Sequence, residues 1–233
     1  MSTAPIAVPF EIWDRICILT SIPALYNTCT VSKSFNAVAT PHLYRNLSFS
    51  TFPSAIKCLR TLQTNEIAAK SVVCFHPIHH TPIPPCGAAV TECLELLPKV
   101  LSRTSNLYEL GIAPVVWSLD TAALCTDFGT MLRQCTIPRL ANLVLNLPID
   151  DNVVDFIARH QLGLVELGLH LLVPGTESYR LPTFDLPFLR KLDLSAEIVA
   201  TFLAASAIPN VAEINVMWSP RIEATHNAAR SLP

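Results

Sequence analysis

Five segments from residue 106 onward repeat one pattern, in which apolar residues occupy the second, fifth and seventh positions of each segment. The first apolar positions are separated by 33, 24, 25 and 22 residues. Alternation of apolar and other residues at the end of each segment is typical of a strand with one buried face. The segments are NLYELGI (106–112), RLANLVLNL (139–147), GLVELGLHL (163–171), FLRKLDL (188–194) and NVAEINV (210–216).

Helical patterns separate these strands, and a period in the twenties is typical of leucine-rich repeats. We therefore predict an α/β fold from 47 to 233, an irregular leucine-rich-repeat solenoid of parallel strands with helices on its outer face. The last strand is followed by only 16 residues, so we expect either that Trp218 and Ile222 cover the end or that the chain is truncated at its C-terminus. Further strands are predicted at 44–49 and 70–75, and helices at 54–62, 88–101, 121–135, 152–160 and 198–206.

The composition agrees with repeats that bury each other. Apolar residues make up 51% of the 233 residues and charged residues 15%. The net charge of −2 gives no basic face for nucleic acid. Prolines interrupt the charge-free stretches 16–32 and 71–91, so we predict no membrane span. Without a secretory signal, we expect an intracellular protein, cytoplasmic or nuclear, whose eight cysteines are reduced.

The first 45 residues follow a different pattern, that of three short helices. Pro9 suits the first turn of a helix, and Ile12, Ile16 and Leu19 then fall on one side at helical spacing. Pro41 is predicted to end the third helix. About 40 residues bury too little surface to be stable alone, so we expect another element or another protein to cover this segment.

This segment, VPFEIWDRI through VSKSF to PHLYRNLSF, resembles an F-box, in particular that of fungal, basidiomycete-like F-box proteins with divergent leucine-rich repeats. The family pattern has Leu-Pro-x-Glu-Ile-x-x-x-Ile, an apolar helix and then Val-Ser-(Lys/Arg)-x-(Trp/Phe). The chain departs from it at Val8, where Leu is usual, and at Ala24, where an acidic residue is common beside the helix-two Leu; Pro23 adjoins it. The resemblance defines an F-box domain at 5–46.

The resemblance implies a substrate-recognition subunit of a Skp–cullin–F-box ubiquitin ligase. The F-box would dock on a Skp-type adaptor, and through it on a cullin scaffold, while the repeats recruit a protein target for ubiquitin-dependent degradation. A different interpretation is a non-catalytic leucine-rich-repeat scaffold whose degenerate F-box only caps the solenoid. The adaptor-binding residues that the resemblance implies are Pro9, Glu11, Ile12, Ile16, Leu25, Val31 and Phe35.

The concave face of the repeats is the predicted target-binding surface, because solenoids commonly bind partners there. An ordinary solvated sheet face is the plainer interpretation. The alternation directs apolar residues inward at Leu110, Ile112, Leu143, Leu145, Leu167, Leu169, Leu192, Leu194, Ile214 and Val216. The outward residues predicted to contact the target are Glu109, Glu166, Lys191, Glu213, Asp193, Asn215 and His170.

Two further kinds of site are weighed and set aside. The stretch CFHPIHHTPIPPC (74–86) contains histidines and cysteines, but four prolines interrupt it and no matching ligand pair follows. With six glycines there is no Gly-rich phosphate loop and no Gly-x-Ser-x-Gly turn. The carboxylate pair Asp150-Asp151 precedes an apolar helix, as a cap does. The sequence predicts no metal, no cofactor and no enzyme activity.

Overall fold

The computed structural model describes residues 8–82, 88–115, 119–170 and 183–217. Side chains at 78–87, 114–125 and 197 are outside this description, as are Trp218 and Ile222. The described helices are α1 Phe10–Ile18, α2 Ile22–Val31, α3 Lys33–Leu43, α4 Phe52–Thr64, α5 Glu66–Ser71, α6 Ala88–Leu101, α7 Leu119–Arg133, α8 Asp151–His160 and α9 Ala196–Ala205. The described strands are β1 Asn46–Ser48, β2 Cys74–Pro82, β3 Glu109–Val115, β4 Asn142–Leu145, β5 Glu166–Leu169, β6 Lys191–Ser195 and β7 Glu213–Met217.

The seven strands of the described residues form one parallel sheet in chain order, from β1 to β7. Because each strand pairs with the next one along the chain, equivalent positions of successive segments lie side by side. Glu109 lies beside Asn142, Asn142 beside Glu166, Glu166 beside Lys191 and Lys191 beside Glu213. The predicted α/β class and the predicted strand register are therefore confirmed.

The core lies between one face of this sheet and a layer of helices. The leucine and isoleucine positions predicted to point inward in β3 to β6 are at most 1% exposed. On the other side of the core, α4 packs on α6, α6 on α7 and α7 on α8. Ile214 and Val216 are exceptions at 46% and 39% exposed, because β7 is the last strand of the described residues and pairs with a neighbouring strand on one edge only.

The largest difference from the predicted elements lies between α4 and β2. A strand is predicted at 70–75, whereas the chain forms the short helix α5 to Ser71 and enters β2 only at Cys74. Asn65 explains the extra helix, because its side-chain Oδ1 accepts a hydrogen bond from the Ala68 N–H at 3.0 Å and so caps α5. β2 then pairs with β3 through two register shifts.

Half of the described cysteines lie in the core, as predicted for small apolar residues. All six are free thiols, and Cys17, Cys93 and Cys135 are buried. Burial raises the pKa of the Cys58 and Cys93 thiols to about 12, so both stay protonated and unreactive at neutral pH. Separately, in the part of the chain that the structure describes, no helix combines the length and hydrophobicity needed to span a bilayer.

Replacing Asp150 by alanine is expected to destabilise the protein by about 1 kcal/mol. The carboxylate Oδ1 of Asp150 accepts hydrogen bonds from the backbone N–H of Asn152 at 3.0 Å and of Val153 at 2.9 Å, which identifies it as the cap of α8. Urea unfolding measures the change. The matched control is Asp151→Ala, which removes an exposed first-turn carboxylate next door; an equal loss in both variants would contradict the capping role.

The buried His160 is expected to make stability depend on pH. Its Nδ1–H donates to the Phe156 carbonyl at 2.7 Å, and its Nε2 accepts from the Ile137 N–H at 3.0 Å, an arrangement that requires the neutral ring. Burial lowers the pKa of His160, against about 6.5 in the unfolded chain.

The unfolded state therefore takes up a proton first as the pH falls. The free energy of unfolding is constant above about pH 7 as far as this group is concerned, and it decreases from there toward the lowered pKa of the folded state. Urea unfolding between pH 5 and pH 8 tests this, with His160→Gln as the comparison. The variant should lose less stability on acidification than the parent; parallel pH profiles would refute the assignment.

Candidate functional site

The first three helices have a small core of their own, separate from the core under the sheet. It consists of Cys17, Leu25, Val38 and Ala39. Beside it the rings of Trp13 and Phe35 meet edge to face, with centroids 4.7 Å apart. We call α1, α2 and α3 together the helical trio.

Two contacts fix the geometry of the trio. The His42 Nε2 and the Asp14 Oδ1 lie 2.8 Å apart, which joins α1 to the end of α3. α3 in turn packs on α5, and the Arg45 carbonyl accepts hydrogen bonds from the Val73 and Cys74 N–H groups. The trio is thus attached to the sheet through α3, and its opposite side remains open.

Most of the apolar surface of α1 and α2 is uncovered. Leu19 is 88% exposed and Val31 68% exposed, although each is a large aliphatic residue. Only Glu11, Asp14 and Arg15 carry charge between 8 and 31. A concentration of exposed apolar residues with so few charges is typical of a protein-binding surface. We call it the uncovered face, and its exposed large residues are Val8, Phe10, Ile12, Ile16, Ile18, Leu19, Ile22, Tyr26 and Val31.

A hollow opens on the same trio between α1 and α3. It has a volume of about 490 Å³, and its lining is mostly apolar, with Phe10, Trp13 and Val38 among the contributing residues. A hollow beside exposed aliphatic side chains offers a place for an apolar side chain of a partner, as the centres of protein interfaces do.

The predicted adaptor-binding residues fall into three groups in the structure. Pro9, Glu11, Ile12, Ile16 and Val31 are exposed. Phe35 is half-buried against Trp13, at the hollow. Leu25 is only 2% exposed, so in this conformation it cannot contact a partner, and it stabilises the trio instead.

Sequence reasoning missed several residues of the uncovered face. Phe10, Ile18, Ile22 and Tyr26 are 53–63% exposed, yet the family pattern does not single them out. Periodicity could not find them, because an apolar residue on a helix is ordinarily read as facing the protein's own core.

The outward face of the sheet carries the residues predicted to bind a target. Glu109 Oε1 lies 2.8 Å from His76 Nε2, and Glu109 Oε2 accepts a hydrogen bond from the Cys74 thiol at 3.6 Å. Glu166 is exposed between its neighbours Asn142 and Lys191. The strand register thus brings residues from distant parts of the sequence onto one surface.

At the other end of this face the polar side chains bind one another. Lys191 Nζ lies 3.6 Å from Asp193 Oδ2. Asn215 donates to Asp193 Oδ1 and to Glu213 Oε1, each at 2.7 Å. Burial lowers the pKa of His170, and the nearby charge of Asp193 partly opposes this shift. These contacts suit a polar, hydrated surface, and they hold the carboxylates in place.

The stretch weighed as a metal site is only partly described. The side chains of Cys74 and His76 both contact Glu109, whereas the side chains of His79, His80 and Cys86 lie outside the described residues. Within residues whose side chains are described, no group of three or more potential ligands is arranged so that it could hold a metal ion.

Comparison with known proteins adds no family assignment. No protein-family model matches the chain, and no curated protein matches it.

Proposed function

We propose that the chain is a substrate-recognition subunit of a Skp–cullin–F-box ubiquitin ligase, with the helical trio as its F-box and the seven-stranded unit as a leucine-rich-repeat solenoid. The observation that carries the proposal is the uncovered face of α1 and α2. It lies in the segment that resembles the F-box pattern and includes Ile12, Ile16 and Val31 of that pattern, and it would be covered by a Skp-type adaptor. The protein performs no bond chemistry itself in this role.

The core of the helical trio is too small to bury most of the large apolar residues of α1 and α2. This core contains four fully buried residues, whereas nine large apolar residues of the uncovered face are exposed. Exposed apolar surface costs roughly 25 cal/mol for each Å² left in water, and a partner that covers the face recovers that free energy. Apolar interfaces with few charged residues are typical of stable complexes.

In the proposed role, target recruitment falls to the outward sheet face. A receptor of this kind works by holding its target at a high local concentration near the transfer machinery. Glu109, Glu166, Lys191, Asp193 and Glu213 are the charged residues available on successive strands.

A second candidate function is a scaffold in which the trio only caps the first repeat. The observation in its favour is the packing of α3 on α5, which covers the start of the sheet unit. A cap, however, has no need for the nine large exposed apolar residues of the uncovered face.

Co-purification distinguishes the two candidates. The full-length chain, expressed together with a Skp-type adaptor, is expected to elute with it as one complex in size-exclusion chromatography. Separate elution of two folded proteins would favour the scaffold and contradict the proposed receptor role.

A further inference from the structure

A polar cleft opens where the helical trio meets the sheet, and it adjoins the uncovered face at Ile18. It has a volume of about 700 Å³. The trio contributes Asp14, Ile18, Pro41 and His42 to it, while the segments that precede β1, β2, β3 and β4 contribute the rest. Neither the F-box resemblance nor the target-binding prediction includes this cleft.

Backbone hydrogen bonds bring together the strand starts that form the floor of the cleft. The Val73 N–H donates to the Arg45 carbonyl, the Tyr108 N–H to the Val73 carbonyl and the Ala141 N–H to the Tyr108 carbonyl, each at 2.9 Å. The starts of four neighbouring strands therefore lie side by side. At a strand spacing of about 4.8 Å, Arg45 and the segment containing Arg139 lie about 14 Å apart along this edge of the sheet.

Cationic side chains outnumber carboxylates in the lining. Arg45, Lys70 and Arg139 line the cleft against one carboxylate, that of Asp14, which is already bound to His42. Lys70 is paired at 2.6 Å with Glu66, which lies outside the cleft. Among the described residues, neither guanidinium has a carboxylate within ion-pair distance, although the protein as a whole has a net charge of −2.

One of the two guanidiniums is held in position by its neighbours. Arg139 Nη1 donates to Asn106 Oδ1 at 3.1 Å, and Asn106 Nδ2 donates to the Lys70 carbonyl at 2.8 Å. A neutral amide thus orients the arginine and leaves its charge uncompensated. Orientation before binding reduces the entropy that a ligand must overcome.

We propose that this cleft binds a phosphate-bearing ligand. Guanidinium groups form paired, charge-assisted hydrogen bonds with phosphate oxygens. A planar carboxylate is satisfied by one arginine, whereas a phosphate presents acceptor oxygens in several directions and suits a cleft lined by more than one cation. The proposal is separate from adaptor docking, because Arg45 and Arg139 are not part of the uncovered face, which shares only Ile18 with the cleft.

The test is calorimetric titration of the full-length chain with pyrophosphate, and in a second arm with a short Gly/Ser peptide carrying one phosphoserine. The unphosphorylated peptide serves as the blank. We expect saturable binding in at least one arm that weakens as salt is added. Tighter binding of pyrophosphate assigns the cleft to free phosphate compounds, and tighter binding of the phosphopeptide assigns it to phosphorylated protein segments.

Arg45→Gln and Arg139→Gln are each expected to weaken binding about tenfold or more. Arg190→Gln is the matched control, since Arg190 is an exposed arginine just before β6 that does not line the cleft. Absence of binding in both arms, or equal losses in all three variants, would overturn the proposal. Adaptor capture by the Arg45 and Arg139 variants should remain normal, so failure here and failure of the receptor role are distinguishable.

Discussion

Ile16→Asp is expected to weaken binding to a Skp-type adaptor by at least about 100-fold. Ile16 lies within the uncovered face on α1 and is 45% exposed in the free chain. In a complex that covers it, an aspartate would be left buried and unpaired, a cost of several kcal/mol. A change of about 1.4 kcal/mol already corresponds to a factor of ten. Surface plasmon resonance with immobilised adaptor measures the effect.

An isoleucine-to-aspartate substitution outside the uncovered face tests whether the loss of adaptor binding is specific to that face. Ile67 on α5 is 59% exposed and lies outside the trio, so Ile67→Asp is expected to bind the adaptor like the parent. Both variants should keep the parental free energy of unfolding within about 0.5 kcal/mol, because neither side chain is buried. If Ile16→Asp retains parental affinity, the uncovered face is not the docking surface.

Leu25 is unsuitable for the same experiment. Its side chain is 2% exposed in the core of the trio, so a charge there would disrupt folding and would remove binding for an indirect reason. Ile12→Asp, at 51% exposure on the same side of α1, is the better second variant.

Phe156→Ala is expected to lower the free energy of unfolding by about 3–5 kcal/mol. The ring is 0% exposed in the core under the sheet and lies 4.4 Å, between centroids, from the ring of His160. Truncation therefore leaves a cavity in a continuous core that extends from Phe52 to Phe202. The repeats on either side of α8 also lose packing contacts, because each repeat packs on its neighbours. Urea unfolding followed by circular dichroism gives the change.

Phe188→Ala provides the matched control for this change. Phe188 is 60% exposed near the start of β6, so its truncation should alter the free energy of unfolding by less than about 0.5 kcal/mol. Similar losses in the two variants would show that Phe156 does not occupy a closely packed core.

The strand register could be predicted because two constraints act together. Alternation fixes which face of a strand is buried, and a shift by one residue would expose every leucine at once. Leu110, Leu143, Leu167 and Leu192 consequently pair in the expected order. The helix α8 was also predictable. Its buried residues recur at helical spacing: Val153, Phe156, Ile157 and His160.

Other features depend on tertiary contacts that periodicity does not contain. α2 carries apolar residues all around, so the sequence could not decide that Leu25 turns inward while Ile22 and Tyr26 stay exposed. The cleft was missed for a related reason. Arg45 and Arg139 are 94 positions apart, and only the parallel pairing of β1 to β4 brings their segments to one edge.

Hydrogen exchange of the full-length chain, with and without a saturating concentration of Skp-type adaptor, tests the central claim most directly. The account predicts that the adaptor slows amide exchange across residues 10–31, in α1 and α2, while rates in β4 and β5 stay the same. Unchanged rates in α1 and α2 would contradict the account, and so would protection confined to the sheet.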